Sequence, residues 1–153
     1  MDRVMEEVRL SNYLRLQFPS KSENESLARI TVASFVANLD PTMEELTELK
    51  TAVSEAVTNA IIHGYGEQAG EVTIECALFD HTVKVVIEDK GVGIADIDEA
   101  RQPMYTSRPE LERSGMGMTI METFVDSIEI ESTVGEGTRV TLIKTFGMSN
   151  DVM

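Results

Sequence analysis

Tryptophan is absent from this 153-residue chain, aromatic residues make up only 5% of it, and there is a single cysteine, Cys76. One cysteine cannot form an internal disulfide, so a reducing, cytoplasmic compartment is expected. Cys76 lies in an alternating apolar run, where a free thiol behaves as a small buried hydrophobe. Basic residues are scarce: 13 Lys and Arg stand against 27 Asp and Glu, a net charge of −14. Without a basic face to displace counterions from phosphates, direct nucleic-acid binding is disfavoured and a basic protein partner fits better. No apolar run approaches the roughly 18 residues of a membrane span. Asp2, Arg3, Glu6, Glu7 and Arg9 interrupt the opening positions, which argues against a signal peptide there. The Gly-Lys-Ser or Gly-Lys-Thr phosphate loop is missing, as is the His-Arg-Asp signature of protein kinases, so ordinary nucleotide folds are disfavoured.

At 42% hydrophobic the chain can bury one sizeable core and is too short for two ordinary domains. The expected organisation is a leader over 1–12, one domain over 13–146 and a frayed tail over 147–153. Tyr13 to Phe18 alternates, predicting a strand with Leu14, Leu16 and Phe18 inward, ended by Pro19. Ser22 and Glu25 have capping-box spacing ahead of a helix whose buried candidates include Leu27, Ile30, Phe35 and Leu39. Asp40-Pro41 breaks the chain. Thr42 and Glu45 form a second capping-box pair, so a helix should run from Met43 to about His63, closed by Gly64 and Gly66. Glu71 to Phe79 and Thr82 to Glu88, separated by Asp80-His81, read as a hairpin. Beyond Asp89, a short helix over Ile97 to Arg101 and a lid over Gln102 to Arg113 are expected, since the latter holds two prolines and few large apolar residues. Met116 to Val125 has helical periodicity, and two strands, Ser127 to Thr133 and Thr138 to Phe146, flank Gly135-Glu136-Gly137. The fold class is α/β (α+β): a two-layer sandwich with a mixed, mostly antiparallel sheet and helices on one face.

Within the long helix, Glu55, Asn59 and His63 recur every four residues. Each step turns only about 40° beyond a full turn, so the three form one polar stripe. The core face, read from Leu46, Leu49, Val53, Val57 and Ala60, lies about 100° or more away, leaving the stripe accessible to a ligand. Downstream stand Asp89-Lys90-Gly91-Val92-Gly93, Ser114-Gly115-Met116-Gly117 and Gly135-Glu136-Gly137-Thr138. In this order the motifs resemble the ATP-binding (Bergerat-type) domain shared by DNA gyrase, heat-shock-ninety chaperones, histidine kinases and MutL-type ATPases. The run from Lys50 to Tyr65 is most similar to the small bacterial anti-sigma factors that double as serine protein kinases, in particular the sporulation anti-sigma-F factors. The similarity extends through Asn24-Glu25-Ser26, Leu39 to Thr42, Glu99 to Pro103 and Pro109 to Gly117.

That resemblance implies Mg²⁺ and ATP or ADP as cofactors, with Asn59 as the metal ligand; a carboxamide oxygen is a hard ligand suited to an ion that keeps several waters. Otherwise Asn59 would simply bond nearby backbone. Glu55, one turn earlier, is the candidate general base for a serine hydroxyl, or else a solvated helix glutamate. His63 either orients Glu55 or contacts phosphates, or else sits favourably at the helix C-terminus. Asp89 can accept a hydrogen bond from the exocyclic amine of adenine, which guanine lacks at that position. Gly91 and Gly93 would let backbone approach base and sugar, and Thr138 resembles a residue bordering the adenine pocket, although Gly-Glu-Gly-Thr also reads as a plain turn. Ser114, Gly115, Met116 and Gly117 precede a helix whose first amides would bind the triphosphate. Arg113 either neutralises γ-phosphate charge or is a surface charge. Lys90 should face solvent.

The resemblance further implies a sigma factor and an anti-anti-sigma factor as partners, held in part by Arg29 on the first long helix, and a homodimer. The function expected is an anti-sigma factor that phosphorylates its anti-anti-sigma factor on serine. Three alternatives stand beside it: a general-stress anti-sigma kinase, a histidine-kinase-type catalytic domain, and a non-enzymatic ATP-gated binding module. The histidine-kinase reading is weakened because His63 and His81 are the only histidines.

Overall fold

The computed structural model describes residues 10–94 and 117–147. Alternating apolar residues give five strands, which we number β1 (Leu10–Pro19), β2 (Glu71–Phe79), β3 (Thr82–Asp89), β4 (Ser127–Thr133) and β5 (Gly137–Thr145). They form one sheet in the order β1-β2-β3-β5-β4. Every ladder among the described strands is antiparallel, so the sheet is not mixed as expected. The helices are α1 (Asn24–Val36), α2 (Met43–Asn59) and α3 (Gly117–Phe124). No described helix is long and apolar enough to cross a membrane.

Val72, Ile74, Cys76 and Leu78 of β2, with Val83, Val85 and Ile87 of β3 and Val140 and Leu142 of β5, point to the helical layer and are buried. Each such side chain contributes about 1.5–3 kcal/mol by leaving water. The opposite face carries exposed Arg15, Glu75, Lys84 and Arg139, with Arg15 bonded to Glu75 at 2.9 Å across the β1–β2 pair. The β2–β3 turn closes on two residues because Asp80 adopts a left-handed φ of 55°. As anticipated, α2 sinks Leu49, Val53 and Val57 into the core, together with Ala52 and Ala56, Leu46 is partly buried against it, and Ala60 just beyond α2 is buried too. Its N-terminus carries the predicted capping box, Thr42 Oγ1 accepting the Glu45 N–H at 3.0 Å while Glu45 accepts the Thr42 N–H at 2.9 Å.

The first helix departs from its sequence pattern. Leu27 and Ile30 are 47% and 61% exposed, and the stripe that meets α2 and the sheet is Ala28, Val32 and Val36. Small and β-branched residues allow a close approach of helix to helix, which bulkier side chains would hold apart. The Ser22–Glu25 capping box does not form, since the N-cap is Glu23 with no side-chain bond. Instead the Glu25 carboxylate accepts from Arg29 Nε at 3.0 Å and from the Ser54 hydroxyl of α2.

Strand β1 already begins at Leu10, with a register irregularity between Leu10 and Asn12, so the start of the sheet falls inside the span read as leader. Lys144 of β5, 7% exposed, donates to the Phe124 carbonyl at 2.7 Å and to Glu48 at 3.1 Å. A buried ammonium at the C-terminus of α3 satisfies an orphan carbonyl and the negative end of the helix dipole. The expected helix over Ile97 to Arg101 and the lid from Gln102 to Arg113 lie outside the described residues.

Candidate nucleotide site

The long helix does not stop at Gly64. Following α2, Ala60–Tyr65 continues as a π-helical turn, and Gly66, with φ 62°, ends it by donating its N–H to the Ile61 carbonyl at 3.1 Å. Single π-turns of this kind recur at functional sites. At about 4.4 residues per turn, the step from Asn59 to His63 falls just short of a full turn instead of overshooting it. All three stripe residues are half-buried, flanking the core as their spacing predicts.

Beside this turn lies the end of β3. Asp89 is 6% exposed, and its carboxylate accepts the Gly91 N–H at 2.8 Å. Burial pushes its pKa up from the ordinary 3.8; the N–H groups of Gly91 and Thr138 pull it down, and neighbouring Glu88 adds to the rise, with a raised value as the net result. The proximity of helix and strand is tight: a Cβ on Gly64 would lie 2.8 Å from Asp89 Oδ1. Three successive amides of the loop have assigned acceptors. Lys90 N–H donates to the Tyr65 hydroxyl at 2.6 Å, Gly91 N–H to Asp89 itself, and Val92 N–H to the Gly64 carbonyl at 2.9 Å.

The predicted glycines have an immediate reason of their own. A Cβ at Gly91 would come within 2.0 Å of the Gly64 carbonyl oxygen, and Gly93 combines a φ of +80° with Thr133 O at 2.4 Å. Protein backbone fills the space that their missing side chains leave, so the loop packs only with glycine at these positions.

Register places Asp89 of β3 opposite Thr138 of β5, and Thr138 opposite Ser132 of β4, so the three form a row on the helical side of the sheet. Ser132 Oγ sits 2.8 Å from Thr138 Oγ1 and accepts the Ile94 N–H at 2.7 Å, joining the β4–β5 hairpin to the loop. The structure therefore brings Asp89, Gly91, Gly93 and Thr138 together beside Gly64 and Tyr65, at the end of the helix whose stripe carries Glu55, Asn59 and His63. Gly117 opens α3. Arg113, Ser114, Gly115 and Met116 lie outside the described residues.

The sequence marks Gly64 only as a helix breaker and does not mark Tyr65 or Ser132 as site residues. Tyr65 stands two positions past His63 and Ser132 six before Thr138, but neither spacing marks a hydroxyl as a loop anchor. No group of three or more His, Cys, Asp or Glu among the described residues could hold a metal ion. A lone neutral oxygen such as that of Asn59 suits Mg²⁺, whose remaining ligands are waters and phosphates.

The model of the family described as "Histidine kinase-like ATPase domain" matches residues 18–144. That match spans most of the chain, which therefore carries a histidine kinase-like ATPase domain. Curated relatives share more than half of their residues with this chain. The anti-sigma F factor of Geobacillus kaustophilus is 59% identical over 141 residues, 92% of this chain and 97% of that protein. The Bacillus subtilis anti-sigma F factor is 57% identical with the same coverage, and that of Clostridium novyi is 56% identical over 134 residues, 87% of this chain and 94% of its own. This chain belongs to the anti-sigma F factor family. Among solved structures, the RsbU and RsbW domains of a Mycobacterium tuberculosis protein match with a TM-score of 0.65 at 19% identity, over 89% of this chain and 33% of that longer one, a likeness of fold.

Proposed function

We propose that this protein is an ATP-dependent anti-sigma factor and serine protein kinase that holds a sporulation sigma factor and phosphorylates the cognate anti-anti-sigma factor. The observation that carries this reading is the buried Asp89 carboxylate, aligned with Thr138 and fastened to the helix that bears Glu55 and Asn59. Asp89 accepts the exocyclic amine of adenine, Thr138 borders the base, and Asn59 offers its carboxamide oxygen to Mg²⁺ one helical turn from Glu55. Mg²⁺ bound there supplies charge neutralisation of the phosphate oxygens. The amides of the segment from Ser114 to Gly117, at the start of α3, receive the phosphates, and Arg113 adds a cation to the γ-phosphoryl group.

Glu55 takes the proton of the substrate serine as its oxygen bonds to the γ-phosphorus and the bond from that phosphorus to the bridging oxygen breaks, leaving ADP. General-base assistance of this kind contributes about 10²–10⁴ in rate. His63, on the same helical stripe, orients that carboxylate. Arg29 on α1 belongs to the surface offered to both protein partners, and the working form is a cytoplasmic homodimer. Glu55→Gln should keep Mg-ATP and sigma-factor binding while transfer of label from γ-labelled ATP to the anti-anti-sigma protein falls at least about 100-fold. Retained phosphorylation would remove Glu55 from the mechanism.

A further inference from the structure

Tyr65 ends the π-turn and touches two separate pieces of chain, Gly70-Glu71 and Lys90. Its hydroxyl donates its single proton to the Glu71 carbonyl at the start of β2, at 2.6 Å. A lone pair of the same oxygen accepts the Lys90 N–H, also at 2.6 Å. Its ring lies on Gly70, where a Cβ would come within 2.3 Å of Cε1. A tyrosine hydroxyl has one donor and acceptor capacity, and both are used here by backbone groups. Neither bond is a helix or sheet ladder bond, so both exist because of this one side chain.

Lys90 N–H belongs to the peptide that leaves Asp89. With the Val92 N–H held by Gly64 O at 2.9 Å, the π-turn fixes the backbone on both sides of Gly91, whose own N–H returns to the Asp89 carboxylate. The direction in which that carboxylate presents its remaining lone pairs is therefore set by the last two residues of the π-turn. An ordinary α-helical end, with its tighter turn, would not carry the Tyr65 side chain to the same place.

Resting on the nucleotide reading above, we infer that Tyr65 is a positioning residue for base recognition: it holds Asp89 in the orientation that accepts the 6-amino group, and so determines the preference for adenine over 6-oxopurines. It also ties the base end of the site to the helix that carries Glu55 and Asn59. The role is separate from general support of the fold, because the ring contact with Gly70 survives removal of the hydroxyl. Hypoxanthine nucleotides, which carry an oxygen in place of the 6-amino group, do not use the acceptor that Tyr65 positions. They report the rest of the site.

The test is calorimetric titration of the full chain with ADP and with inosine diphosphate, for the wild type, Tyr65→Phe and Gly70→Ala. Tyr65→Phe keeps the ring and loses both hydroxyl bonds; Gly70→Ala keeps the hydroxyl and displaces the ring. In both variants ADP affinity should fall about tenfold while inosine diphosphate affinity changes less than about twofold, so the preference for adenine shrinks. Equal losses for the two nucleotides would show a merely structural contribution and overturn the inference, as would wild-type preference in Tyr65→Phe. If the wild-type protein itself fails to prefer ADP, the assignment of Asp89 to the base falls first and this inference falls with it.

Discussion

Asp89 is a carboxylate kept where burial disfavours its charge. The fold offsets part of that cost with the N–H groups of Gly91 and Thr138, yet the net pKa stays above the ordinary 3.8. A group whose pKa is raised on folding makes the folded protein bind protons more tightly. Its ionisation therefore lowers stability as pH rises from 3.8 through the raised value. An amine donor from a bound base reverses this preference, because it bonds to the ionised form. ADP affinity should accordingly climb as pH rises toward the raised value and then level off, measured by titration at increasing pH. Inosine diphosphate should lack this rise, and a pH-independent ADP affinity would show that the carboxylate does not meet the base. Burial acts in the same sense on Cys76 and pushes its thiol up to about 12, consistent with the small buried hydrophobe read from its alternating run. At single residues the sequence was informative where chemistry is local. Asp89, Asn59 and Glu55 announce themselves by type and spacing, whereas the Glu25 bond to Ser54 joins residues 29 positions apart and leaves no local trace.

Among elements, α2 was the most legible because three independent signals agree: the Thr42–Glu45 cap, the apolar period and the polar stripe. The cap also reaches beyond its own helix, since Glu45 accepts the Gly147 N–H at 3.0 Å just past β5. Partial burial raises the Glu45 pKa, but the N–H groups of Gly147 and Thr42 outweigh it, and the net value lies below the ordinary 4.5. Its stabilising contribution is thus complete above 4.5 and is lost as pH falls through the lowered value. Thr42→Ala should cost about 1 kcal/mol, a drop of about 3 °C in thermal midpoint for a domain of this size. An unchanged midpoint would mean that the cap adds nothing. The π-turn was not legible, because Ala60-Ile61-Ile62-His63-Gly64-Tyr65 fits an α-helix ended by glycine equally well. What selects the wider turn is tertiary: Gly64 O and the Tyr65 hydroxyl are both engaged by the loop after β3. For α1 the sequence misdirected the core assignment. Leu27 and Ile30 are the more hydrophobic residues, but closeness of packing favoured Ala28, Val32 and Val36.

Across the molecule, strand order places the candidate site at the paired ends of β3 and β5. Because β3 and β5 are adjacent, Asp89 and Thr138 pair directly, and the β4–β5 hairpin returns Ser132 to the loop that Asp89 begins. Hairpin spacing foretold the four later strands and the two-layer arrangement. It could not foretell the order β3-β5-β4, which depends on long-range pairing, and so the mixed sheet was expected where an antiparallel one exists. On the far side of the core, Lys144 links β5, Glu48 of α2 and the last turn of α3. The helix following the glycine-bearing segment is thereby anchored to the helix carrying Glu55, so under the proposed function the phosphate-binding and catalytic groups share one frame. The central claim is that an adenine nucleotide occupies the junction bordered by Asn59 and Asp89. It is tested most directly by calorimetric titration of wild type and Asp89→Asn with Mg-ATP. The account predicts saturable binding at one site per chain, weakened at least about tenfold by the substitution; absence of binding to the wild type, or equal affinity in the two proteins, would contradict it.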